Sequence, residues 1–555
     1  MKKIYLYVAF ALASIGMISC TDILDQDPLD SFTDEAVWND LALSETYLNA
    51  QYMNLMAENM KGTRFAHYTD EVFQKHTYGS ENVTQGLLSC DNAGIGWDDT
   101  MWDPWYSYYQ YISKLNLFLE KIDNVPGDET SRNEQKGQAL FLRAWNYHML
   151  YSLFGRVPIV DHTFDLDSSF ELQREDMDKV ADFIIKDLDE AAALLPIEYS
   201  DPNDFGRVTK GAALALKSRV LLYKASPLFG TPSTEKWQAA ANAAKAVFDL
   251  NKYYLKTVNN SEEYGALFYD VKNPEVIFEK LFDPKYGSGD NNSFLYQAPC
   301  GIGNGFQGWG NFNPTQNLVE SFLMEDGKTP GNSTKYKYNA NDQYRDRDPR
   351  LELTVLHHGS FWLNTELQTN FGGENNPTGA EYSRTSYYIS KFMKDYKTRG
   401  DYDGEALHLW VMYRYGEVLL NYAEALNEYQ SAPSQEVFDA IIALRKRAGI
   451  EEDDNCGLGA LESMNKTDMR KIIQNERRIE MAFEEQRYWD IRRWRIAEDI
   501  FKAPLEGLNI QIAGAVTTYH KINVLSATFD VKRYFYPIPY SEVIKNKNMV
   551  QNPNW

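Results

Sequence analysis

A mostly α-helical body is the fold class this sequence predicts: a degenerate tetratricopeptide-like stack of helix pairs carrying a loop-rich insertion with a few short strands. Three observations predict it. A run without Gly or Pro, from Asp468 to Trp494, carries apolar residues at helical spacing. Upstream segments of the same period, dense in Ala and Leu, end repeatedly in Gly or Pro. Between 251 and 405 that period fades while Gly, Asn, Pro and aromatic residues rise.

Residues 1–19 read as an export signal, with Lys2-Lys3 ahead of an apolar run from Ile4 to Ile18. At ~1.5 Å per residue the run reaches about 22 Å, short of a ~30 Å hydrocarbon core. Met17-Ile-Ser-Cys20 resembles a lipobox, which makes Cys20 the first mature residue, the lipidation site and the start of a polar tether over 20–33. A single body over 34–555 follows, and no later run is apolar enough to span a membrane.

Asp34 to Met56 reads as a helix entering that body. Residues 64–104 form a first excursion, poor in period, with His67, His76, Cys90 and Gly94-Ile-Gly-Trp97-Asp98-Asp99. Trp105-x3-Tyr109-x2-Ile112-x3-Asn116 then starts a helix. Glu134 to Phe154 is the next, with Leu140, Ala144, Tyr147 and Tyr151 near one stripe and Gly155 and Pro158 as stops. Asp176 to Leu195 turns Val180, Ile184, Leu188 and Leu195 inward. Lys210 to Ala225 and Lys236 to Leu250 complete the first group, with Ala240, Ala244 and Val247 spaced for close approach. The insertion over 251–405 offers Val276–Phe282 and Leu353–Leu356 as strands. Helical period returns at Tyr413 to Tyr429 and Gln435 to Ala448. The last long segment, Asp468 to Trp494 with an N-cap at Thr467-Asp468, reads as one central strut. Glu476, Glu480, Arg487 and Asp490 lie on its apolar stripe and so require partners. Arg487 is spaced to pair with Glu484 and Asp490 on its own helix.

The strut residues Glu476-Arg-Arg-Ile-Glu480, Ala482-Phe483-Glu484, Arg487 and Asp490-Ile-Arg-Arg493 resemble the signature of the SusD-like (SusD/RagB) nutrient-binding lipoproteins of Bacteroidetes. So do Phe141–Ala144, Leu318–Phe322 with Asp326-Gly327, Arg347–Leu351, and the tail Tyr536-Pro-Ile-Pro539 to Gln551-Asn-Pro-Asn-Trp555. Glu485 stands where that family commonly has Gly, a change within a helix on this reading. The resemblance implies an outer-membrane lipoprotein facing outward on acylated Cys20. It would capture oligosaccharides and deliver them to a SusC-like TonB-dependent transporter, breaking no bond. Peptide or glycopeptide ligands are the alternative within the family.

The residues themselves suggest where such a ligand lies. A sugar ring has an apolar C–H face and a rim of hydroxyls, so an indole flanked by Asp or Asn on a Gly-rich loop matches both. Trp97 and Asp98 in the first excursion, and Tyr296, Trp309, Asn311, Phe312 and Trp362 (with Phe361 beside it) in the insertion, are the candidate ligand-binding residues. An insertion of this size on a rigid scaffold is where binding groups sit.

Composition excludes other classes. Aromatic residues make up 14% of the 555, with 37 Tyr and 12 Trp. The net charge is −23, and −25 once Lys2 and Lys3 leave with the signal. So acidic a chain lacks the basic footprint of a nucleic-acid binder and does not adhere to anionic lipid by charge. The eight His show no metal spacing. Asp201, Asp204, Asp401 and Asp403 meet no EF-hand spacing and read as solvated turn carboxylates rather than a structural calcium site. Gly303-Asn-Gly-Phe-Gln-Gly308 fits G-x-G-x-x-G but follows no strand and opens no helix, so no dinucleotide cofactor is expected. A surface glycoside hydrolase needs only two carboxylates about 5–10 Å apart. Glu476, Glu480 and Glu484 are its candidates, but they sit among arginines. Cys90, Cys300 and Cys456 specify no bridge, although Cys90 and Cys300 are able to pair in an oxidising compartment.

Overall fold

Several of the helices begin where a side-chain cap meets an apolar period. The structure, a computed structural model, describes residues 34–55, 65–76, 81–91, 103–165, 167–168, 171–258, 261–270, 272–282, 298–300, 308–375, 383–393 and 408–555. The segments read as export signal and tether, Cys20 included, lie outside them. The longer helices are α1 (Leu41–Gln51), α2 (Pro104–Lys121), α3 (Glu129–Phe154), α4 (Met177–Leu194), α5 (Lys210–Ala225), α6 (Thr234–Phe248), α7 (Tyr415–Tyr429), α8 (Gln435–Ala448), α9 (Lys466–Glu480) and α10 (Gln486–Arg493). Asp40, Asp128, Thr209 and Ser233 cap α1, α3, α5 and α6 by accepting backbone N–H groups of the first turn. Gly155 (φ +71) and Gly449 (φ +88) close α3 and α8.

From α3 to α6 each helix packs on the next. The chain then leaves through the insertion, and on its return α7 packs against α6 and α5, with α8 and α9 beyond it. The stack is thus one body interrupted in sequence. The predicted inner faces are buried: Val180, Ile184 and Leu188 on α4, and Ala240, Ala244 and Val247 on α6. Each fully buried Val, Leu or Ile contributes about 1.5–3 kcal/mol. Trp105 is buried, and half-buried Tyr109 donates its hydroxyl to the Pro158 carbonyl at 2.8 Å.

The strands are β1 (Val72–Gln74), β2 (Val276–Phe282), β3 (Phe312–Pro314), β4 (Val355–Leu356), β5 (Phe361–Trp362), β6 (Thr365–Glu366), β7 (Tyr388–Ile389), β8 (His408–Arg414), β9 (Leu505–Ala513) and β10 (Val516–Leu525). They pair antiparallel as β1–β3, β2–β8, β4–β7, β5–β6 and β9–β10. The β2–β8 pair clasps the outgoing and returning ends of the insertion, with Lys280 opposite Trp410. The β1–β3 pair ties the first excursion to the insertion. A second apolar cluster joins Val72, Phe312, Leu318 and Tyr387 to Ile479, Phe483 and Ile510, so α9 spans both cores.

Several sequence expectations are corrected. The entering helix is broken at Asp40, whose carboxylate turns back to cap α1. The predicted strand over 353–356 keeps only Val355–Leu356, after a short helix Arg350–Thr354. The strut is two helices. Phe483 (φ +63) and Glu485 (φ +66) adopt left-handed backbone between α9 and α10, and the N-cap of α9 is Asn465, not Thr467-Asp468. The break sinks Phe483 into the second cluster. Glu485 is therefore not within a helix. It occupies the kind of position that favours glycine, and its carboxylate accepts the N–H groups of Phe65 and Ala66. Arg487 pairs not along its own helix but with Asp70, at 2.9 Å. The β9–β10 hairpin was not anticipated. All three described cysteines are free thiols.

Candidate functional site

Trp309 stands at the end of β3 on a loop pinned from two sides. The Gly308 and Gly310 N–H groups donate to the carbonyls of Pro299 (3.1 Å) and Ala298 (3.0 Å). A Cβ on Gly308 would lie 2.1 Å from the Ala298 oxygen, so only glycine allows this approach. From the other side Lys75 Nζ donates to the Trp309 carbonyl at 2.6 Å. The Lys75 and His76 N–H groups donate to the backbone oxygen and Oδ1 of Asn311 at 2.8 and 2.6 Å. Between two such anchors the indole remains 39% exposed, a flat apolar face on a backbone that does not need to be ordered by a ligand.

The neighbouring candidates are structural supports. Phe312 is buried in the second cluster, with His67 at a ring distance of 5.9 Å. Asn311 is fully buried and spends Oδ1 on His76, while Nδ2 has no partner among the described residues. Trp362 is buried with Ala298, Leu356, Leu363, Leu367 and Tyr388. It thus plugs the space beneath the segment that holds Trp309. These three do not offer the ligand surface expected of them. Phe361, one residue before Trp362, is 72% exposed, because consecutive strand residues face opposite ways. Trp97, Asp98 and Tyr296 lie outside the described residues.

The carboxylates considered for glycoside cleavage are closed off. Five carboxylates (Glu275, Asp348, Glu476, Glu480, Glu484) and five cations (Arg350, Lys391, Arg414, Arg445, Arg447) form one continuous ion-pair network, each side chain at most 4% exposed. Burial pushes the Glu480 carboxyl up, but Arg447, Arg414 and Arg350 outweigh it and hold it well below its ordinary value. Every oxygen of Glu476, Glu480 and Glu484 is engaged. A sugar cannot reach them. Asp201 caps a short turn through the Asn203 N–H, and Asp204 pairs with Arg207 at 2.6 Å. Asp401 and Asp403 lie outside the described residues, among which no cluster of acidic, His or Cys side chains is placed to hold a metal. No helix among them is long and apolar enough to cross a membrane.

Comparison with known proteins agrees with this architecture. The SusD family matches residues 274–555, and a family described as starch-binding and associating with the outer membrane matches residues 24–222. The SusD-like protein P2 of Formosa agariphila is 25% identical over 552 residues, covering 98% of each chain. A SusD-like protein of Bacteroides fragilis superposes with a TM-score of 0.80 at 25% identity, covering 96% of this chain and 100% of that one. A second structure from the same organism, described as a SusD-like carbohydrate binding protein, gives 0.75 at 25% identity, covering 92% and 99%.

Proposed function

The chain belongs to the SusD family, and from that premise we propose that it is a cell-surface lipoprotein that binds oligosaccharides at the face around Trp309 and hands them to a SusC-like TonB-dependent transporter. In this reading residues 1–19 are removed on export, Cys20 carries the acyl chains, 20–33 is the tether, and 34–555 is the binding body. The family matched over 24–222 associates with the outer membrane, which supports that placement.

One observation carries the proposal. The Trp309 indole is held out at 39% exposure by glycines and paired strands, while Phe312 and Trp362 are buried in separate apolar clusters. Such a ring gains free energy by covering a pyranose C–H face, a transfer worth roughly 25 cal/mol per Å² of apolar surface. The ligand is bound and released unchanged.

Calorimetry of the mature protein against a glycan panel, with product analysis of the same samples, tests this. The expected result is saturable binding with intact oligosaccharide. Shortened products would replace binding with hydrolysis, and heat only from peptides or glycopeptides would replace the ligand class. Cys20→Ala is expected to release the protein from the membrane fraction.

A further inference from the structure

A cavity of about 570 Å³ opens between the 197–209 loop, the 252–254 segment after α6, and β2. A second of about 350 Å³ adjoins it, and both are lined by Phe205, Phe278 and Glu279. These walls share no residue with the Trp309 loop.

Glu279 is 4% exposed. It takes a backbone hydrogen bond from Lys272, yet its Oε2 has no partner among the described residues. An unsatisfied buried carboxyl oxygen is costly, and no described side chain answers it. Burial also pushes the Glu279 carboxyl up to about 7, so near neutral pH it serves as donor or acceptor. Lys272 faces the same cavity from left-handed backbone (φ +67), with its ammonium 4.7 Å from the Phe205 ring centroid and no ion pair among the described residues. The other cations of the wall are neutralised: Arg207 by Glu45 and Asp204 at 2.6 Å each, and Lys252 by Glu198. Tyr254 lines the cavity with a ring 60% exposed, and its N–H is fixed to the Pro274 carbonyl at 3.2 Å.

We propose that this cavity is a second saccharide site, taking a neutral pyranose ring that lies against Tyr254, donates a hydroxyl to Glu279 and accepts from Lys272. A flat ring, one open acceptor and one open donor match a ring with adjacent hydroxyls. An anionic sugar would meet Glu198, Asp201 and Asp204. The inference rests on the glycan reading for its ligand class but not for its place.

Hydrogen–deuterium exchange of the mature protein with maltoheptaose, laminarihexaose, xylohexaose and a glucosamine hexamer tests it. A neutral oligosaccharide is expected to protect 252–254 and 272–279. Tyr254→Ala should remove that protection and leave the 308–313 response intact, and Trp309→Ala should do the reverse. Glu279→Gln should weaken protection at 272–279 at least fivefold without lowering the thermal midpoint. Protection at 308–313 alone overturns the second site and spares the first. Protection of 272–279 by the glucosamine hexamer alone overturns the neutral-ring assignment. No protection by any of the four overturns both readings.

Discussion

Arg487 and Asp70, far apart in sequence, form a buried ion pair at 2.9 and 3.1 Å. It fastens the first turn of α10 to the start of the first excursion. Arg478, on the last turn of α9, reaches the same carboxylate at 2.6 Å. One Asp thus holds both halves of the broken strut. Burial pushes its carboxyl up, but Arg478 and Arg487 together hold it well below the ordinary value. Asp70→Asn would leave the buried Arg487 and the part-buried Arg478 guanidinium without a carboxylate. The expected loss is about 3–5 kcal/mol, read as a lower urea midpoint with an unchanged m-value.

Glu71, the next residue, behaves oppositely. Burial and the neighbouring Asp70 push it up to about 8, with Arg487 opposing. Its Oε1 has no partner among the described residues. Between about pH 4.5 and 8 the unfolded chain has lost this proton while the folded chain keeps it, so stability from this group falls as pH rises through that window. Glu71→Gln should remove the slope. The variant should match the parent near pH 4 and exceed it above pH 8 by a few kcal/mol in order of magnitude. Urea titrations at pH 4, 6 and 9 check this. Equal stability of the two proteins at pH 9 would show that Glu71 ionises normally in the fold.

Glu485 sets two effects against each other. Its left-handed backbone costs on the order of 1 kcal/mol, which glycine would relieve. Its carboxylate satisfies the N–H groups of Phe65 and Ala66, whose loss costs about 1–3 kcal/mol. Glu485→Gly should therefore be mildly destabilising, and Glu485→Ala, which keeps the strain and loses the acceptor, more so. Amide exchange at 65–68 should quicken in both. A Gly variant more stable than the parent would show that the carboxylate contributes little.

The helical scaffold was legible because its signals are local: caps, stops and a repeating apolar face. Gly155 and Pro158 mark a helix end without reference to the rest of the fold. The strut break was not legible, since a run without Gly or Pro gives no local reason to stop. What stops it is tertiary, the burial of Phe483 and the reach of Glu485 to Phe65. The β9–β10 hairpin left a readable trace in the alternation Leu508, Ile510, Ile512 and in Gly514 (φ +63) at its turn. At the candidate site, sequence marked the loop that carries Trp309 and could not sort the buried rings from the exposed one. Trp309 and Trp362 look alike in composition, and only the packing of Ala298 between their segments separates an exposed face from a plug.

That separation is itself testable. Trp309 is 39% exposed and Trp362 5%, so the same truncation should act on different quantities. Trp309→Ala removes a contact surface and leaves no internal hole. It should weaken oligosaccharide binding tenfold or more, about 1.4 kcal/mol, while shifting the thermal midpoint little. Trp362→Ala opens a cavity against Leu356, Leu367 and Tyr388, and should cost about 3–5 kcal/mol of stability. Any affinity it loses should follow from the loosened Ala298–Gly310 contact and diminish on cooling, as that contact re-forms. Phe361→Ala, on the exposed side of the same strand, supplies the control, with the stability of the parent expected. If Trp309→Ala instead unfolds the protein while binding per folded molecule persists, the indole is a structural wedge and the ligand lies elsewhere.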